Sequence, residues 1–161
     1  MPRLAPPLNG RLPLAEPRIR ALALCVFHHQ GKILVNQFID ADTQQTLFRP
    51  LGGGIDFGEH SAQAIVREVQ EELGLSINNL RLIGTLESLF MFAGKPGHEI
   101  VQVYDACFED ATVYQRAQLD AQESDGAPFV ARWQGSASFT EHTPLVPQGL
   151  GELLKNAGLL D

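Results

Sequence analysis

Glu68, Glu71 and Glu72, with Asp56 and Glu59 shortly before them, stand in the stretch GGGIDFGEHSAQAIVREVQEELGL, Gly52 to Leu75. Carboxylates at such spacing repel one another by about 0.2–0.5 kcal/mol per badly placed helical pair. They therefore mark either a solvated acidic face or the seat of something positive. Converging oxygen donors suit a hard cation, and Mg²⁺ is commonly held by a few carboxylates together with waters and substrate phosphates.

An element must position these acids, and the apolar period supplies a helix. At ~100° per residue, Ala62, Ile65, Val66, Val69 and Leu73 fall on one side, while Glu68, Glu71 and Glu72 share an arc roughly 100° wide on another. Ser61 as N-cap and Gly74 as the left-handed residue after the last turn bound it at about three turns. Glu71 and Glu72 then lie in the last turn, where the helix dipole disfavours acids. A local rule broken in this way points to function.

The wider spacing is more specific. Gly53, five residues, Glu59, seven residues, Arg67-Glu68-Val69, one residue, Glu71-Glu72, one residue, Gly74-Leu75 is a pattern of 23 residues. It resembles, position for position, the signature of the Nudix hydrolases. The resemblance implies an α/β fold, a Nudix-type α/β/α sandwich with a mixed β-sheet, in which the motif forms a loop, a helix and a second loop. It also implies hydrolysis, dependent on Mg²⁺ or Mn²⁺, of a pyrophosphate bond in a nucleoside diphosphate linked to another moiety: a nucleotide-sugar, dinucleotide, coenzyme or nucleoside triphosphate. A binding or regulatory module that retains the fold is the alternative, although such relatives usually lack a motif glutamate and none is missing here.

Carried over by matching position, Glu68, Glu71 and Glu72 are expected metal ligands, with a backbone carbonyl near Gly52 as a further one. Gly53, Glu59 and Arg67 are expected to brace the motif, the guanidinium making paired contacts to a carboxylate. Glu71 or Glu72 is the expected base for the attacking water. Asp56 reads as a solvated loop acid. Many members of the resembled family carry another acid just before a late strand; here Glu123 and Asp125 are closest, and Glu141, beside His142, is the runner-up. Phe48 and Phe90, with Phe38 and Phe92, are candidates to stack on a base, and Arg49 to meet a terminal phosphate. Each of these aromatic residues is also a candidate core residue.

The remaining elements read as strands and one closing helix. Ile19 to His28 and Lys32 to Ile39 form a hairpin turned at His28-His29-Gln30-Gly31, with both histidines solvated. Thr46 to Arg49 is a short strand stopped by Pro50, and Gly52-Gly53-Gly54 serves a sharp backbone turn. Leu80 to Phe92 and Ile100 to Phe108 pair around AGKPGH, whose Lys95 and His98 are further phosphate candidates, and Glu87 and Glu99 face solvent. AQESDGAP is a loop before the strand FVARW, and a helix from about Gln148 packs Leu150, Leu153 and Leu154 inward.

Composition bounds the rest. The chain has 161 residues, a net charge of −7 and a pI near 5.1, the size of one domain. A 12-to-19 balance of basic over acidic residues argues against a nucleic acid polymer, which requires clustered Lys and Arg. A small nucleotide is the expected partner, and homodimerisation is left open. Residues 1–17 form a Pro-rich arm, flexible or surface-wrapping, before a single domain over 18–161. No signal-peptide core or membrane span is evident. Cys25 and Cys107 read as buried, reduced thiols, which with the absent leader gives a cytoplasmic expectation.

Overall fold

The computed structural model describes residues 17–161, so the expected arm falls almost wholly outside the described residues. Nine strands and two α-helices follow: β1 (Arg20–Val26), β2 (His28–His29), β3 (Lys32–Ile39), β4 (Thr46–Arg49), β5 (Leu51–Gly54), α1 (Ser61–Leu73), β6 (Ile77–Phe92), β7 (Lys95–Phe108), β8 (Gln118–Gln122), β9 (Pro128–Gln134) and α2 (Leu150–Asn156). One sheet runs β5-β1-β7-β6; the other runs β2-β3-β9-β8, with β4 on β3. The pairing of β1 with β7 is parallel and its pairing with β5 antiparallel, so the sheet is mixed.

β1 is buried on both faces, which is why LALCV reads as an unbroken apolar run rather than an alternation. Ala23, Cys25 and Phe27 join one core with Ala64, Ile65 and Val69 of α1. Leu22, Leu24 and Val26 join a second core with Leu150 and Leu154 of α2. One helix thus lies on each side of the strands, the expected α/β/α arrangement. Leu153 is half-buried against the second core.

Several boundaries differ from the sequence reading, each for a local reason. The first hairpin turns on Gln30 and Gly31, both at positive φ, so His28 and His29 are strand residues. Both are half-buried rather than free in solvent: His28 Nε2 lies 3.3 Å from Asp105 Oδ1, and the His29 ring sits 5.4 Å from that of Tyr114. The β6–β7 hairpin turns on Ala93-Gly94, also at positive φ, and Lys95 to Glu99 belong to β7. His98 pairs with Glu87 at 2.8 Å. Glu99 is buried, not solvated, and Cys107 is exposed, not buried. The first two residues of AQESDGAP extend β8.

Candidate active site

The glycine run is strand, not turn. Gly52 adopts φ +142°, and a Cβ there would collide with the Ala23 carbonyl of the neighbouring strand. A Cβ on Gly53 would stand 2.6 Å from Glu68 Oε1. Both positions lack side chains because backbone and carboxylates approach them closely.

α1 begins one residue earlier than expected. His60 is the N-cap, and its N–H donates to the Gln63 side chain at 2.8 Å. Ser61 lies inside the first turn and pairs with Tyr104 Oη at 2.6 Å. Gly74 ends the helix in the left-handed conformation, its N–H donating to the Gln70 carbonyl. The buried face comprises Ala64, Ile65, Val69 and Glu72, while Val66 is exposed. The helix is therefore rotated from the apolar arc toward the acids, and its carboxylates do not all face outward. Glu72 is 8% exposed, whereas the Glu71 side chain is 48% exposed.

Arg67 ties the motif together. Its Nε and Nη2 donate to the two Glu59 oxygens, each at 2.8 Å, and Nη2 also reaches the Gly54 carbonyl at 3.0 Å. Nη1 contacts Glu68 at 3.0 Å and Glu71 at 3.4 Å. Asp56, exposed as expected, approaches the guanidinium at 3.5 Å. The hydrogen bonds from Arg67, reinforced by the Asp56 N–H, hold the Glu59 carboxyl down at about 2. Glu59 hydrogen bonding in turn raises the Arg67 pKa.

Glu68 and Glu72 are displaced the other way. Burial raises the Glu68 carboxyl, against the opposing pull of Arg67. Glu72 is pushed up to about 8, first by burial and then by the charge of Glu68; the Gly52 N–H, 3.2 Å from Oε1, only partly offsets this. Glu123 adds to the rise and Arg49 subtracts from it. Residues far apart in sequence thus meet here: the glycine strand, the end of α1, the β4 terminus and the β8–β9 turn.

Among the described residues no three His, Cys, Asp or Glu side chains converge at metal-ligand geometry, and Arg67 holds Glu68 and Glu71 toward itself. The donor chemistry nevertheless fits a divalent cation. Two half- to fully buried carboxylates, Glu68 and Glu72, resist ionisation beside one another, and positive charge at that point would relieve both.

A cavity of about 610 Å³ opens on the α2 side of the strands. Leu22, Leu24 and Val101 contribute its apolar lining, Phe38 and Phe90 line it too, and Arg49 links it to the acids. The Arg49 guanidinium carbon sits 6.0 Å from the Phe38 ring centre. Phe48, by contrast, is buried and meets Phe139 edge-on at 5.4 Å, so it packs the second core and is not available to stack on a substrate. Asp125 accepts from the Ala127 N–H at 2.9 Å and shapes its own turn. Glu141 is exposed in the turn closed by Thr140 and Thr143. A second hollow, about 480 Å³, lies between that turn and α2 and is lined by none of the motif residues.

The sequence matches the NUDIX domain family model over residues 16–147. The chain belongs to the Nudix hydrolase family. Its fold is similar to that of the MutT Nudix hydrolase from Burkholderia pseudomallei, at TM-score 0.59 and 19% identity, covering 84% of this chain and 96% of that one. It is also similar to a Chromobacterium violaceum protein assigned to the Nudix hydrolase family, at TM-score 0.52 and 19% identity, covering 88% and 78%. Nudix hydrolases act on small nucleotides by cleaving pyrophosphate bonds, and the family generally uses divalent metal ions. Glu99, which the sequence reading placed in solvent, lines the cavity. Its strand neighbours alternate in burial, a pattern that could have assigned it to the inner face.

Proposed function

We propose that this Nudix hydrolase cleaves the pyrophosphate bond of a nucleoside diphosphate linked to another moiety, with Mg²⁺ as cofactor and Mn²⁺ as a possible substitute. The observation that carries the reading is the junction at Arg49, which lines the cavity and whose charge acts on the Glu72 carboxyl. A base fits the cavity and phosphates fit the junction. Glu68, Glu71 and Glu72, with the backbone near Gly52, would hold the metal, which when bound neutralises phosphate oxygens and acidifies water. Arg49 orients the phosphate chain toward the acids, and Phe38 and Phe90 keep water from the base. Glu71 or Glu72 would take the proton of the attacking water. Glu59 and Arg67 touch no substrate and hold Glu68 in place.

The test is a screen of nucleotide-sugars, dinucleoside polyphosphates, coenzymes and nucleoside triphosphates with Mg²⁺ and Mn²⁺, reading released phosphate or nucleoside monophosphate. Metal-dependent release that Glu72→Gln lowers by about 10²–10⁴-fold supports the reading. Absence of release from every class, with the protein folded and loaded with metal, would falsify it.

A further inference from the structure

The cavity holds a carboxylate that the hydrolytic chemistry does not use. Glu99 is 8% exposed and Ser88, directly opposite it in the β6–β7 register, is 6% exposed. Both line the cavity. Glu99 Oε2 accepts from Arg20 Nη1 at 3.3 Å, a long contact to a side chain that is itself 60% exposed. Oε1 has no hydrogen bond among the described residues. Asp40, the other buried acid of the cavity, already serves the backbone: its Oδ1 takes the N–H groups of Asp42, Thr43 and Ala93 at 2.8, 3.3 and 3.1 Å, which tethers the β6–β7 tip. Glu99 thus keeps an oxygen free to accept from a ligand in the cavity.

We propose that Glu99 selects the substrate's base by accepting two adjacent ring-edge N–H groups, the pattern offered by guanine. This rests on the cavity being the base site of the hydrolysed nucleotide. Within this mixed lining Leu22, Leu24 and Val101, with Phe38 and Phe90 as aromatic partners, suit a flat ring. Two parallel bonds to one carboxylate require donors side by side. Guanine has them in N1–H and its 2-amino group. Adenine and cytosine set a ring lone pair beside their amino group, and uracil flanks its single N–H with carbonyls, so each turns at least one acceptor toward Glu99. A carboxylate has room for about four hydrogen bonds, so the Arg20 contact can persist.

The experiment measures binding of GMP, IMP and AMP by calorimetry in chelator, to the full chain and to Glu99→Gln. For the full chain, GMP should bind about tenfold to a hundredfold more tightly than AMP. IMP, which keeps N1–H and loses the amino group, should fall between them. Glu99→Gln should compress the series. Equal affinity for GMP and AMP in the full chain, or an undiminished preference in a folded Glu99→Gln protein, overturns the proposal. Should that variant fail to fold, the GMP, IMP and AMP order in the full chain decides alone. Turnover separates this proposal from the hydrolysis reading. Anhydride cleavage without guanine preference sinks only the base assignment, and guanine-selective binding without any cleavage sinks only the hydrolysis.

Discussion

Glu59 and Glu72 respond to protons in opposite senses, although both belong to one motif. The Glu72 carboxyl lies at about 8 in the folded protein against an ordinary 4.5, so between those values the folded state holds more protons than the unfolded chain. Metal-free stability should therefore fall as pH rises across that interval. Glu59 is held down at about 2 from the same ordinary 4.5; its contribution is present above 4.5 and lost as pH falls toward 2. Thermal melts in chelator should show a decline on either side of a mildly acidic optimum. Glu72→Gln should flatten the alkaline limb and raise the melting temperature at neutral pH, and Glu59→Gln should shrink the acid limb. An alkaline decline of full depth in Glu72→Gln would place its origin elsewhere. The motif separated the two by expected role, bracing against metal binding, but not by their response to protons. What buries Glu72 is the Gly52 strand 20 residues earlier, and no local pattern encodes that approach.

The glycine strand and α1 can be tested against each other as elements. Gly53 does not adopt a positive φ, and a Cβ there meets first the carboxylate end of the Glu68 side chain. Gly53→Ala should fold and yet lose most activity, because it displaces a carboxylate rather than the backbone. Gly52→Ala meets the Ala23 carbonyl and carries a strained φ of +142°, so it should be strongly destabilised or insoluble. Similar melting temperatures for the two variants would overturn this contrast. Arg67→Ala removes the clamp between α1 and the preceding loop. It should lower the melting temperature by a few degrees and speed amide exchange over residues 55–60, with activity falling as Glu68 loses its anchor. Normal exchange there would show that the loop holds itself.

Much of the fold was legible at this scale. The bounds of β3 and β4 and the Gly74 terminus follow from apolar runs, Pro50 and one glycine. The orientation of α1 was not, because the apolar arc from Ala62 to Leu73 ignores what the sheet offers as a partner. Burial of Glu68 and Glu72 beneath a strand without side chains turned the helix and left Val66 in water. Likewise Ser61, a good cap by type, was drawn inward by Tyr104 on a strand more than 40 residues later.

Across the whole molecule, the acid cluster depends on chain segments that meet only in the folded state, and this sorts the three auxiliary acids that the sequence offered, Glu123 and Asp125 first and Glu141 as runner-up. Glu123 stands at the mouth of the β8–β9 turn, close enough to raise the Glu72 carboxyl. Asp125, in the same turn, spends its carboxylate on the Ala127 N–H. Glu141 has no contact with the motif among the described residues. Removing an auxiliary charge in an exposed turn should cost far less than removing a base or metal ligand, about 10²–10⁴-fold in rate. Glu123→Gln should thus lower the metal concentration dependence or shift the pH profile acid-ward, since it withdraws negative charge from Glu72. At saturating Mg²⁺ its turnover should remain within about tenfold of the parent. Asp125→Gln should act mainly on turn stability, and Glu141→Gln should leave rate, metal dependence and pH profile alone. Glu71→Gln and Glu72→Gln should each show the large loss. If Glu123→Gln or Glu141→Gln abolishes hydrolysis at saturating metal while both motif variants retain it, the chemistry belongs to a loop acid and the burial of Glu72 serves only to shape the strand beneath it.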